Sequence, residues 1–181
     1  MCNMSNKKQS THELAVDCIY TALLKLMQTK PYKDITVSDI TRKAGVSRMA
    51  YYRNFSDKDD ILLNHLRDSV NALESKISCR QDLTEEKLLR EYVQNMQDDP
   101  IVDRIMQAGL FHSFFEIHKE FIMRVYTRLF HWDTSDDNTL LLIYQKMGSL
   151  FGYMLYVSEQ KQKANTDVLV KHLMMLAQGN T

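Results

Sequence analysis

Proline and glycine are scarce in this chain, at two and five of 181 residues. So few breakers leave long uninterrupted segments. With 44% apolar side chains, this composition favours a mostly helical protein over one assembled from short strands and turns. Cysteine is too sparse for a disulfide framework. Cys2, Cys18 and Cys79 are odd in number and follow no metal or redox spacing, so three reduced thiols are expected, with Cys18 packed in a helix. No window of 18 or more residues is free of charge, which argues against a membrane-spanning helix, and MCNMSNKKQST lacks an apolar signal region. A cytoplasmic protein is expected. The chain also lacks a Ser/His/Asp order, a nucleophile elbow, a glycine-rich phosphate loop and any metal motif. The pairs Asp59-Asp60 and Asp98-Asp99 are adjacent, where helix or turn geometry points the carboxylates apart. No catalytic residue, cofactor or metal is therefore expected.

What is present is unevenly charged. Lysine plus arginine equals aspartate plus glutamate, at 23 each. Residues 1–56, however, hold nine basic and four acidic side chains, leaving 14 basic and 19 acidic for the rest. The asymmetry suggests a polyanion-facing N-terminal part joined to a body with another task, although solvated surface charge can also produce it.

Capping residues mark the helix starts. Ser10-Thr11-His12-Glu13 is a capping box ahead of an apolar face of Leu14, Cys18, Ala22 and Leu26, flanked by Ala15, Ile19 and Leu23, which Pro31 stops. Thr36-Val37-Ser38-Asp39 opens a short second helix with Val37, Ile40 and Ala44 inside, and Gly45 supplies a left-handed turn. Ser47 caps a third helix of about two turns. Ser56-Asp57-Lys58-Asp59 opens a longer fourth through Ile61, Leu62, Leu66, Val70 and Leu73.

A short helix, a tight glycine turn and a second short helix supported by a longer one form a helix-turn-helix unit. Within AGVSRMAYYRNF, the helical period puts Arg48, Met49, Tyr52 and Arg53 on one face and Ala50 and Tyr51 towards the other, with Val46 and Phe55 as anchors. The outward face thus offers two guanidiniums and a phenol, donors for phosphate oxygens and, for guanidinium, guanine edges. Thr36 and Ser47 sit at helix N-termini, where free amides and the dipole favour phosphate. The plainer alternative makes the arginines solvated charges and the tyrosines core filler.

The segment ITVSDITRKAGVSRMAYYRNFSDKDDIL, within a match of roughly Leu14 to Leu66, resembles the DNA-binding segment of the tetracycline-repressor (TetR/AcrR) family of bacterial transcription regulators. The resemblance implies a dimer that places the third helix of each subunit in successive major grooves. It further implies phosphate or base contacts by Thr36, Ser47, Arg48, Met49, Tyr52, Arg53, Asn54 and Lys58. Met49 stands where the family often has glycine or proline. Tyr51 replaces the usual leucine or phenylalanine and is expected to be a core aromatic whose hydroxyl reaches solvent. The fold expected is all-α: a helix-turn-helix DNA-binding domain over residues 1–56, a connecting fourth helix over 57–77, and a C-terminal ligand-binding and dimerisation domain over 78–181. The implied protein is a cytoplasmic, nucleoid-associated bacterial regulator, a repressor that occupies an operator on double-stranded DNA as a homodimer and is released by a small apolar or aromatic effector. The alternative is a protein of the same fold that acts as a protein–protein interaction module or co-activator without effector binding.

The body reads as further helices, with a turn at Asp98-Asp99-Pro100 and polar breaks at 78–84, 131–138 and 159–166. Thr84 opens one helix, Pro100 starts another, and Asn165 or Thr166 caps the last. Gly148 and Gly152 lie four apart on one helical face beside Ser149. A helix carrying two glycines loses roughly 1 kcal/mol at each relative to alanine, which is explained by the close approach of another backbone. The dimer helix is the functional reading, pairing with a final helix that holds Val168, Leu169, His172, Leu173 and Leu176; packing within one chain is the other. Met106, Phe111, Phe114, Phe115, Phe121 and Tyr126 lie in an aromatic and methionine-rich stretch that suits either an effector pocket or ordinary core. A cationic effector is also possible on this reading if Glu116 or Glu120 faces the cavity. His112, Glu116 and His118 are not metal ligands on this reading, because His112 and His118 fall on opposite sides of a helix.

Overall fold

The computed structural model describes residues 11–80, 82–160 and 165–177, and among them every regular element is helical. The elements are α1 (Thr11–Met27), a 3-10 turn (Tyr32–Asp34), α2 (Val37–Ala44), α3 (Arg48–Tyr52), α4 (Lys58–Ser78), α5 (Glu85–Asp98), α6 (Ile101–Ala108), α7 (Phe111–Phe130), α8 (Asp137–Gln160) and α9 (Thr166–Ala177). The chain divides into two compact units, Met1–Leu62 and Leu63–Thr181, so α4 contributes its start to the first and its remainder to the second.

In the first unit, α1 packs on α2 and α3 around Ile19, Leu23, Ile35, Ile40, Tyr51 and Phe55, all buried. The inward stripe of α1 differs from the expected one. Ile19, Ala22, Leu23 and Met27 are buried, whereas Leu14 and Cys18 are exposed. Both stripes have helical spacing, and contact with α2 and α3 selects between them. Ser10 and Cys2 lie outside the described residues.

In the second unit, α7 packs on α6 and α8, and α9 packs on α5 and α8. The buried positions follow the helical period: Leu88, Leu89, Tyr92, Val93 and Met96 on α5, and Ile143, Met147, Leu150 and Met154 on α8. Ion pairs lie over this core. Glu74 of α4 accepts from Arg124 at 3.0 Å and lies 3.4 Å from Arg128, both of α7, while Arg90 of α5 pairs with Asp167 of α9.

Two backbone features shape the body. Gly109, at φ 74°, closes α6 and separates it from α7, a break beyond the expected ones. His131, at φ 56°, ends α7 inside the expected polar break. Thr84 and Asn165 act as side-chain caps of α5 and α9, the latter accepting from the Asp167 and Val168 amides.

Candidate nucleic-acid interface

The geometry of α3 is set by short-range bonds. Thr36 caps α2, its hydroxyl accepting from the Asp39 amide at 3.2 Å while the Asp39 carboxylate accepts from the Thr36 amide at 3.1 Å. The Lys30 ammonium, 2.8 Å away, and the Thr36 donors hold the Asp39 carboxyl below its usual range. Gly45 at φ 69° reverses the chain after α2, and the Ser47 hydroxyl accepts from the Ala50 amide at 3.0 Å to start α3. A glycine is required at that reversal because a Cβ makes the left-handed region costly.

Capped this way, α3 turns Tyr51 fully inward, at 0% exposure, and Met49 and Tyr52 outward, at 76% and 52%. Arg48 and Arg53 are exposed as well. The Arg48 guanidinium donates to Ser38 Oγ at 3.3 Å and to Tyr52 Oη at 3.4 Å, with its carbon 5.9 Å from the Tyr52 ring centre. These long bonds hold the guanidinium loosely, and among the described residues it has no carboxylate partner. The result is an exposed surface of Thr36, Ser47, Arg48, Met49, Tyr52 and Arg53 spread over two helix N-termini and one helix face.

Asn54 and Lys58 are placed otherwise. The Asn54 amide donates to Ala50 O at 2.7 Å, and its Oδ1 is buried without a partner. Lys58 Nζ donates to the Tyr32, Lys33 and Ile35 carbonyls at 2.7, 3.3 and 3.1 Å and lies 4.5 Å from the Tyr32 ring centre. Both side chains fold back on the unit, Asn54 onto α3 and Lys58 onto the turn at residues 32–35. Tyr51 also departs from the expectation of a hydroxyl in solvent. Among the described residues its Oη is buried with no partner, and burial pushes its pKa above the ordinary tyrosine range.

In the body, the six aromatic and methionine residues do not converge on one cavity. Phe121 and Tyr126 border a gap of about 10 Å³, room for about one water, beside Leu88 and Val125. Phe114 is buried and stacks on His118 with ring centres 3.9 Å apart, Phe111 meets Phe151 at 6.1 Å, and Phe115 meets Tyr144 at 5.9 Å. Met106 sits half-buried on α6, beyond the Gly109 break. Positions 111 to 126 are strung over about 22 Å of α7 at 1.5 Å per residue and meet different neighbours, Phe151, His118, Tyr144 and Trp132, which is why sequence density did not become a single lining. Glu116 pairs with Lys119, while Glu120 borders an open polar cleft of about 260 Å³ with Arg67 and Arg124. His118 is fully buried and donates from Nδ1 to Phe114 O at 2.8 Å, and burial lowers its pKa to about 4. Among the described residues no cluster of side chains suits a metal ion.

Among the described residues, a Cβ placed on Gly148 or Gly152 would meet nothing within 4 Å, so neither glycine admits a second backbone from them. Both lie on an exposed stripe of α8 with Leu141, Tyr144 and Leu155, opposite the buried Ile143, Met147, Leu150 and Met154. Half-buried Ser149 donates to Gln145 O at 2.9 Å. On α9, Val168, His172 and Met175 face outward, whereas Leu169 and Leu173 are buried in their own chain and unavailable to a partner. The side chain of Leu176 lies outside the described residues.

Residues 19–64 match the family model for bacterial regulatory proteins of the tetR family. The chain is 38% identical over 58 residues to the uncharacterised HTH-type transcriptional regulator YwcC of Bacillus subtilis (strain 168), a stretch covering 32% of this chain and 26% of that protein. It therefore spans about a quarter of the length of that relative. Its fold is similar to that of Lin0861 from Listeria innocua, with a TM-score of 0.78 at 16% identity over 98% of this chain and 94% of that one. The TetR transcriptional regulator from Streptococcus agalactiae 2603V shares the fold at a TM-score of 0.66 and 20% identity, over 92% and 94% of the two chains. Residues 19–64 thus match the tetR family of bacterial regulatory proteins, and the chain as a whole shares the fold of these solved structures.

Proposed function

We propose that this protein is a cytoplasmic homodimeric repressor that occupies an operator on double-stranded DNA through the exposed face of α3. The observation that carries the reading is the pairing of inward Tyr51 with outward Arg48, Met49, Tyr52 and Arg53 on a helix held by two caps and a left-handed glycine turn. Guanidinium and phenol donors on such a face suit phosphate oxygens and guanine edges. Thr36 and Ser47 add hydroxyls and amides at the starts of α2 and α3, positions that favour phosphate. Lys58 and Asn54 support this surface from behind, because the Lys58 ammonium and the Asn54 amide nitrogen donate within the unit.

Dimerisation uses the outward stripe of α8, with Gly148 and Gly152 permitting close helix approach, and the Val168, His172 and Met175 face of α9. Exposed apolar side chains at helical spacing on both elements support this, since a monomer would leave them in water. A small effector bound in the body releases the operator by favouring one dimer geometry over another. The competing reading, a protein–protein module, is separated from this one by a single experiment. Selection of bound sequences from a random duplex library returns an inverted repeat with half-sites about 34–36 Å apart, or a multiple of that, if the dimer reads DNA. It returns no enriched sequence if the protein acts only on another protein. Placing the selected site over a promoter then tests repression, with lower reporter output expected in cells that make the protein.

A further inference from the structure

Two donors from different helices of the C-terminal unit converge on one carboxylate oxygen. Lys146 Nζ of α8 and Tyr126 Oη of α7 each donate to Glu85 Oε1 of α5 at 2.6 Å. The Lys146 side chain is 11% exposed, and its ammonium lies 5.7 Å from the ring centres of both Tyr126 and Trp132. An ammonium beside the Trp132 ring and the Tyr126 ring, the latter carrying the phenol donor, forms a preorganised cradle for a carboxylate. Two small apolar cavities begin at this cradle, sharing Leu89, Lys146 and Leu150. One runs between Leu88 and Val125, and the other leads past Ser149 to the half-exposed Leu142.

We propose that this cradle is a binding site for a monocarboxylate with a short apolar tail, and that Glu85 occupies it in the ligand-free chain as a built-in competitor. The ligand carboxylate takes over the bonds to Lys146 and Tyr126, and its tail parts Leu89 from Leu150 and widens the cavities, each of which now has room for about one water, about 10 Å³. The exchange trades one carboxylate for another, so the polar contributions nearly cancel and tail burial decides affinity. Glu85 can leave without penalty from burial. It is one-quarter exposed and sits in the first turn of α5, where the helix dipole favours a negative charge even without Lys146. Lys146 is the more buried partner, and removing its counter-ion without replacement is the costly alternative. A cationic ligand is disfavoured at this cradle by the same ammonium.

The site deepens the effector reading of the body and rests on it for any regulatory meaning, but binding can be measured without DNA. Hexanoate, 1-hexanol and hexylamine are titrated into the full chain by calorimetry, with thermal shift as the second readout. Hexanoate is expected to bind and raise the melting temperature, whereas the neutral and cationic probes do neither. Glu85→Gln is expected to raise hexanoate affinity about tenfold by weakening the internal competitor. Lys146→Met abolishes binding and Tyr126→Phe weakens it, and circular dichroism of each variant confirms the fold. Equal binding of 1-hexanol and hexanoate, hexanoate affinity unchanged by both Glu85→Gln and Lys146→Met, or no binding by either wild type or Glu85→Gln overturns the proposal. Hexanoate binding that leaves DNA affinity unchanged keeps the site and removes only its regulatory role.

Discussion

The Arg48 guanidinium donates to Ser38 Oγ at 3.3 Å, joining the outward face of α3 to the first turn of α2. At this length, and with both groups exposed, the bond positions the guanidinium at little cost to its release. Arg48→Ala is expected to leave the melting temperature within a degree or two. It should weaken binding to the selected operator by about 1–3 kcal/mol if the guanidinium reads a base, or reduce the salt slope by about one unit if it meets a phosphate. Titrations across a range of salt concentrations separate the two roles.

Gly152 offers a test of assembly with little interference from its own chain. Among the described residues no atom beyond its own helix backbone lies within 4 Å of a Cβ built there, and the residue is helical, so Gly152→Leu should stabilise the isolated helix by up to about 1 kcal/mol. If α8 meets its symmetry mate at this point, the leucine instead forces the helices apart, and light scattering should report a monomer that has lost operator affinity. A dimer that persists would place the interface elsewhere.

Gly45 probes the turn that sets the face of α3. Alanine there meets nothing within 4 Å, so its only penalty is the left-handed backbone at φ 69°, about 1–2 kcal/mol. Chemical denaturation of Gly45→Ala should show that loss, accompanied by weaker DNA binding as α2 and α3 lose register.

His118 predicts an acid limit to stability. Burial holds its folded-state pKa near 4, below the ordinary 6.5, with Nδ1 donating to Phe114 O and Nε2 buried without a partner. The neutral form is therefore the folded one. Its contribution is fully present above pH 6.5 and declines as pH falls towards 4, because the unfolded chain takes up the proton first. Melting temperature measured from pH 7 to 4 should fall over that window, and His118→Leu should flatten the decline.

The helix-turn-helix unit was legible because its determinants are local. Thr36, Gly45 and Ser47 act on amides or dihedrals within a few residues, and the inward and outward faces of α3 follow from its period. Asn54 and Lys58 were not legible in the same way. Lys58 folds back onto carbonyls of residues 32–35, a choice that only the packed unit makes. In the body, Gly109 is a local stop signal set among apolar residues whose helical spacing continues on either side of it. The division of α9 into buried Leu169 and Leu173 and exposed Val168 and His172 depended instead on where α5 and α8 lie. The cradle at Glu85 joins residues 41 and 61 positions apart, beyond any local pattern.

The most direct measurement is the affinity of the full chain for its selected operator, compared with that of Arg48→Ala/Tyr52→Ala/Arg53→Ala, a variant whose changes all lie on the exposed side of α3 and leave Tyr51 in place. Fluorescence anisotropy at several salt concentrations, with circular dichroism and light scattering confirming a folded dimer, should show specific binding lost and a shallower salt dependence in the variant. Unchanged operator affinity in a folded triple variant would contradict the account.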